Sequence, residues 1–223
     1  MLREWIPIIT FSLTFLLLVN RHVFITLIKS IGASNAAITR RENTELTDHI
    51  KTQTGVHIPS FYLIQSDSVF ASMTGIPTNP IMTISKGMYD SFSPEELHYI
   101  VLHETGHYAL WHTVQELLLQ CAVIIIAFFV FRSFTHHALI MIAIAAASAM
   151  VSGIVMIQIT RGWERQADMY ALERLHDPRA MITATRKLAA AWGGPADDSL
   201  LRVLFYRGVP YSERIRNAES YRQ

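Results

Sequence analysis

Leu102-His103-Glu104-Thr105-Gly106-His107 is the stretch from which the rest of the sequence is best read. Just upstream, Ser93-Pro94-Glu95-Glu96 marks the start of a helix. The serine caps it, the glutamate three residues on reaches back to the cap, and the proline stands where its missing N–H costs nothing. Leu97, Ile100, Val101, His103, Glu104, His107, Tyr108 and Trp111 then follow at helical spacing, with Gly106 as the only breaker. The pattern runs straight into an apolar block at Leu117, so it predicts one helix from Pro94 to about Phe131. On such a helix two histidines four residues apart lie on one face, one turn above the other.

Histidines so placed can share one metal ion, with Zn–N distances near 2.0–2.1 Å. Glu104, beside the first histidine, is positioned to take a proton from a water on that ion without ligating it, the part of a general base. A catalytic zinc needs three protein ligands. The metzincin arrangement puts a histidine six positions after the second one with a glycine between, but Thr113 and Leu110 stand at those positions. His112 is one residue short and faces elsewhere on a continuous helix, so it reads as structural or as a partner of a ligand. Glu164 fits as the third ligand. Asp168, four residues on and on the same face, is placed to accept a hydrogen bond from the outer nitrogen of a ligating histidine.

The chain between these two groups is apolar. Of the 223 residues, 51% are hydrophobic and only 17% charged, against about a quarter charged in an ordinary soluble domain. The excess sits in three blocks: residues 5–28, Leu117 to Phe131, and Ala138 to Ile157. The first is long enough to span a bilayer with some tilt and reads as an uncleaved anchor, because no small-residue cleavage site lies near its end. The other two, separated by Arg132-Ser-Phe-Thr-His-His137, read as a hairpin of membrane helices, the second of them rich in small residues that suit close packing in lipid. His107 lies ten residues before the hairpin, about 15 Å along a helix, and Glu164 seven residues after it, about 10 Å. The hairpin returns the chain to the side it left, so both motifs are expected just off one membrane face.

Lys and Arg near the predicted spans are Arg3 and Arg132 on one side, and Arg21, Lys29, Arg40, Arg41, Arg161 and Arg165 on the other. The positive-inside rule puts the second side, with all the remaining polar sequence, in the cytoplasm. A plasma (inner) membrane location with a cytoplasmic active site follows. A net charge of +1 offers no footprint for nucleic acid, and the single cysteine, Cys121, excludes a disulfide framework or a Cys-rich zinc site.

The polar remainder reads as one or two helices within residues 33–54 and β-like runs at Ile58 to Ile64, Val69 to Met73 and Ile81 to Ser85, punctuated by Pro59, Gly75, Pro77 and Pro80. A helix is expected from Asp177-Pro178 to Trp192 and a short last one from Ser212. The expected architecture is α+β, mostly α, with three transmembrane helices and a zinc-dependent domain carrying a small sheet. Its divisions are an anchor at 1–32, a catalytic domain formed by 33–116 and 158–223, and the hairpin at 117–157.

His103-Glu104-Thr105-Gly106-His107 followed by Arg161-Gly-Trp-Glu164-Arg-Gln-Ala-Asp168 resembles the paired motifs of the membrane gluzincins of peptidase family forty-eight, the HtpX-like heat-shock proteases and the CAAX prenyl endopeptidases. The resemblance covers roughly Val56 to Arg216. It implies one zinc ion per chain held by His103, His107 and Glu164, with Glu104 as catalytic base and Asp168 orienting a histidine ligand. It also implies a strand ahead of the helix whose edge takes up extended substrate, matched here by Ile81, Met82, Thr83, Ile84 and Ser85. Strand addition of that kind relies on main-chain hydrogen bonds.

The chain departs from the family where a histidine-proline element precedes an Arg-Ile pair: Arg214-Ile215 is present, but Gly208-Val209-Pro210 replaces the histidine element. Arg214, Tyr170, Tyr206 and Tyr211 are the candidates for substrate or transition-state contacts. The implied function is a membrane-embedded zinc endopeptidase whose partners are the bilayer and protein or peptide substrates at its surface. The missing histidine raises an alternative, a zinc-binding membrane scaffold that no longer cleaves.

Overall fold

The computed structural model describes residues 38–40, 44–76, 79–133, 138–193, 206 and 208–221; the expected anchor at 1–32 lies outside them. The chain is mostly helical α+β and divides into two units. Thr113–Gln158 belongs to one; Ser34–His112 and Ile159–Gln223 make up the other.

The larger unit begins with β1 (Ile38–Arg40), helix α1 (Thr44–Thr54), and strands β2 (Ser60–Ile64), β3 (Ala71–Ile76) and β4 (Asn79–Ser85). The strands form one sheet in the order β1-β2-β4-β3. β4 runs parallel to β2, with Phe61 opposite Met82, and antiparallel to β3, with Met73 opposite Met82. This corrects the expectation for Ile81 to Ser85. The strand is there, but it is paired on both sides, so its main-chain groups are already taken, and the edge strands among the described residues are β1 and β3. β1, antiparallel to β2, falls in a segment that reads as helical.

Ser85 ends β4 and caps helix α2 (Lys86–Ser91), its hydroxyl accepting from the Met88 N–H at 3.2 Å. Helix α3 (Pro94–Ala109) opens with the predicted capping box: Ser93 Oγ accepts from the Glu96 N–H at 3.3 Å, and Glu96 Oε2 accepts from the Ser93 N–H at 2.7 Å. Leu97, Ile100, Val101 and Leu102 turn one face of α3 into the core, against Ile50, Phe61, Met82, Ile84 and Leu188.

The helix does not continue to Phe131. It stops at Ala109 and restarts as α4 (His112–Ser133). Leu110 N–H and Trp111 N–H close the last turn onto Gly106 O and Tyr108 O, and Trp111 takes a left-handed φ of 61°. A bulky residue there costs on the order of 1–3 kcal/mol. Neither proline nor glycine stands at the break, so the cause is tertiary: His112 is buried at 3% exposure among side chains described below.

Helix α5 (Ala138–Leu172) is continuous over 35 residues and carries both the third apolar block and the Glu164 and Asp168 segment. Helix α6 (Arg179–Trp192) ends on Gly193 in the left-handed conformation that suits a glycine C-cap, and α7 (Tyr211–Tyr221) closes the described chain. Among the described residues no single helix is long and apolar enough to cross a membrane; the broken pair Pro94–Ala109 and His112–Ile126 passes that test together by length and composition. In the smaller unit, Leu117, Leu118, Ile125, Ile126 and Phe129 of α4 and Met150, Val151 and Val155 of α5 are exposed.

Gly106 lets α5 approach α3. A Cβ there would stand 3.2 Å from Ala167 Cα and 3.1 Å from the Tyr170 ring. Gly106→Ala is expected to lower stability, because overpacking costs about 1–3 kcal/mol and the better helix propensity of alanine returns only about 1 kcal/mol. Ser93→Ala is expected to cost about 1 kcal/mol through the lost cap. Denaturant unfolding of the two variants beside the parent protein checks both, and a Gly106→Ala protein more stable than the parent would contradict the close-approach reading.

Candidate metal centre

Three side chains from two helices meet in the larger unit. His103 and His107 sit one turn apart on α3, and α5 brings Glu164 against them. His103 Nε2 lies 3.3 Å from His107 Nε2 and 3.5 Å from Glu164 Oε2, and His107 Nε2 lies 3.4 Å from Glu164 Oε1. One donor atom from each falls within 4.8 Å of the others. Atoms bound at 2.0–2.1 Å around a tetrahedral ion are separated by about 3.3–3.4 Å. Two imidazole nitrogens at that spacing, each with one oxygen of the same carboxylate at 3.4–3.5 Å, suit a divalent ion of zinc's size and preference, so the residues present fit the metal the sequence implies.

The outer atoms of the three are held by other side chains. His103 Nδ1 is 2.9 Å from Asp168 Oδ1, within ion-pair distance although not aligned as a hydrogen bond. Asp168 also accepts a hydrogen bond from the Tyr99 hydroxyl at 3.0 Å and faces Arg214 Nε at 3.1 Å. Arg214 donates from its Nη2 to Glu164 Oε2 at 2.7 Å. His107 Nδ1 is 3.0 Å from His112 Nδ1, and His112 Nε2 is 2.9 Å from Gln166 Oε1. The His112 ring stacks on Trp163, centroids 5.6 Å apart and planes inclined by 18°.

Electrostatics follow from this crowding. Burial disfavours a charged His103, but Asp168 and Glu164 outweigh it and push its pKa up to about 10. Burial works against an ionised Glu164 too, yet the two histidines and Arg214 hold it well below the ordinary carboxylate range. Burial raises Glu104, and the two histidines beside it only partly offset that. Tyr99 is pushed well above its usual value by burial and then by Asp168. Burial costs Arg214 charge, but Asp168 and its other partners keep it above its ordinary value.

Glu104 Oε2 accepts a hydrogen bond from the main-chain N–H of Met73 on β3 at 3.3 Å. The outward side of β3 therefore looks at the metal-site helix. A cavity of about 350 Å³ opens here, lined by Ala71, Glu104, Leu188, Trp192, Tyr206 and Tyr211 among others. Burial, with the neighbouring Tyr206, pushes Tyr211 up to about 12.

The structure thus brings together His103, Glu104, His107, Glu164, Asp168 and His112, with Tyr206 and Tyr211 at the same cavity. Arg214 lines the cavity as well, but its guanidinium is engaged by Glu164 and Asp168. Tyr170 is placed otherwise: its ring packs beside Gly106 and under the Arg174 guanidinium, 3.6 Å from the ring centre. Sequence reading passed over Tyr99, Trp163, Gln166 and the Met73 N–H. Tyr99 had a signal, since it precedes His103 by four residues and shares its helix face.

The model of Peptidase family M48 matches residues 25–222. Protease HtpX of Ectopseudomonas mendocina is 30% identical over 174 residues, covering 70% of this chain and 60% of that protein. A Protease HtpX homolog of Bacteroides fragilis is 25% identical over 175 residues, covering 68% of this chain and 54% of its own length. The chain thus spans little more than half the length of these curated relatives. The crystal structure of S. mikatae Ste24p shares the fold, with a TM-score of 0.66 at 19% identity, covering 94% of this chain and 61% of that one. With the family model extending through both motifs and the donor atoms converging as they do, this chain belongs to Peptidase family M48.

Proposed function

We propose that the chain is a zinc-dependent endopeptidase embedded in a membrane, with three spans and its active site on the cytoplasmic face. The observation that carries this reading is the convergence of His103 Nε2 and His107 Nε2, 3.3 Å apart, on the Glu164 carboxylate, whose Oε2 lies 3.5 Å from the first and whose Oε1 lies 3.4 Å from the second. These residues would hold one zinc ion, which when bound acidifies water toward neutral pH and polarises a carbonyl. Glu104 has the proton-handling role, taking a proton from the attacking water and delivering it to the leaving amine. Its position beside His103, without a share in the donor cluster, supports that part. The Met73 N–H fixes its carboxylate meanwhile.

Extended substrate adds along the outer edge of β3 rather than β4, since β4 has no free edge. Tyr206 and Tyr211 are the side chains we assign to the developing oxyanion, because Arg214 is committed to Glu164 and Asp168. Membrane insertion is supported by the exposed apolar side chains of α4 and α5, a surface that soluble proteins rarely leave bare. The domain division at 1–32, 117–157 and the rest goes with it. Substrates are then membrane proteins or peptides close to the headgroups.

In detergent-solubilised protein, Glu104→Gln is expected to lower cleavage of an unfolded test protein by a factor of about 10²–10⁴ while zinc remains bound. Undiminished cleavage would remove Glu104 from the reaction. Stripping the metal with a chelator is expected to abolish turnover and added zinc to restore it. His103→Ala is expected to lose the ion. A parent protein that binds zinc but cleaves nothing would favour the scaffold reading.

A further inference from the structure

His112 stands five residues after His107. On an unbroken helix that step turns about 140° around the axis and would place it away from the donor cluster. The left-handed Trp111 cancels the turn and brings His112 Nδ1 to 3.0 Å from His107 Nδ1. The bent backbone is unfavourable in itself, and the contact it creates is specific. His112 is almost fully buried, stacked on Trp163 and bonded through Nε2 to Gln166 Oε1. Trp163 and Gln166 flank Glu164 on α5, so the segment that delivers the carboxylate also builds the seat of His112.

Hydrogen-bond polarity runs one way through this chain of rings. The Gln166 carbonyl oxygen only accepts, so His112 carries its proton on Nε2. Its Nδ1 is then a lone pair, which accepts from the Nδ1–H of His107. That leaves His107 with its own lone pair on Nε2, the atom facing His103 and Glu164. The opposite polarity would place a proton on His107 Nε2 and exclude a metal from it.

We propose that His112, turned onto His107 by the break at Trp111 and braced by Gln166 and Trp163, is a positioning residue that fixes the ring and tautomer of His107 for metal binding. The inference rests on the zinc reading above. Partners of this kind typically govern metal affinity or activity by 10–100-fold.

The test is zinc affinity of the full-length protein in detergent, by competition with a chromophoric chelator, beside the melting temperature of the metal-free form. His112→Phe keeps a flat ring on Trp163 but no nitrogen, and is expected to weaken zinc binding by about 10–100-fold. His112→Asn offers an oxygen to the His107 N–H and is expected to recover most of that loss. Gln166→Leu, at an exposed position, is expected to show a smaller loss with the metal-free melting temperature unchanged. Parental affinity in His112→Phe would overturn the proposal. So would equal losses in the phenylalanine and asparagine variants that track a lowered metal-free melting temperature, because His112 would then be structural only. Absence of zinc binding in the parent would instead overturn the metal reading itself, and this proposal with it.

Discussion

Asp168 holds a carboxylate where water barely reaches, at 2% exposure, and the geometry of the site depends on how that charge is met. Three side chains from two helices meet it on α5: Tyr99 and His103 from α3, and Arg214 from α7. A buried ion pair adds little stability against an apolar replacement, yet removing one partner costs about 3–5 kcal/mol, because the other charge is left without compensation. The arrangement therefore acts as a constraint. Any shift of α5 against α3 large enough to misplace Glu164 would also pull Asp168 from its partners.

Gly106 works in the same direction by a different means. Absence of a side chain allows the backbone of α5 at Ala167 to approach α3 at the turn that separates the two histidines. Van der Waals contact sets the distance and the Asp168 network sets the register. Together they place one oxygen of Glu164 within 3.5 Å of each imidazole, Oε2 at His103 and Oε1 at His107.

Much of this is written locally in the sequence. The Ser93 capping box, the four-residue spacing of His103 and His107, and that of Glu164 and Asp168 each follow from contacts within one helix, which short-range pattern encodes well. Sheet order is another matter. Ile81 to Ser85 has the composition of a strand whether it lies at an edge or in the middle, and only pairing with Ser60 to Ile64 across intervening chain makes it internal. The break at Leu110–Trp111 is the sharpest case. Propensity favours a continuous helix there, and the burial of His112 on Trp163, more than fifty residues away in sequence, overrides it. The role of Arg214 escaped for the same reason, since nothing near it in sequence names Glu164 and Asp168 as its partners.

The charges gathered here explain why donor atoms so close together are tolerable. Among the described groups at this site, Glu104, Glu164 and Asp168 are carboxylates, and Arg214 is the fixed cation that pairs with the last two. With neutral imidazoles, two negative charges remain uncompensated in a largely buried place. Such a deficit is met either by protons or by a divalent cation. The elevated pKa of His103, held up by Asp168 and Glu164 against its burial, is the proton answer to it, and burial shifts Glu104 the same way. A divalent ion would supply the same two charges at the point where three lone pairs already converge, while leaving Glu104 free to ionise and take up a proton. The charge of this residue set is thus met either by protons or by one doubly charged metal.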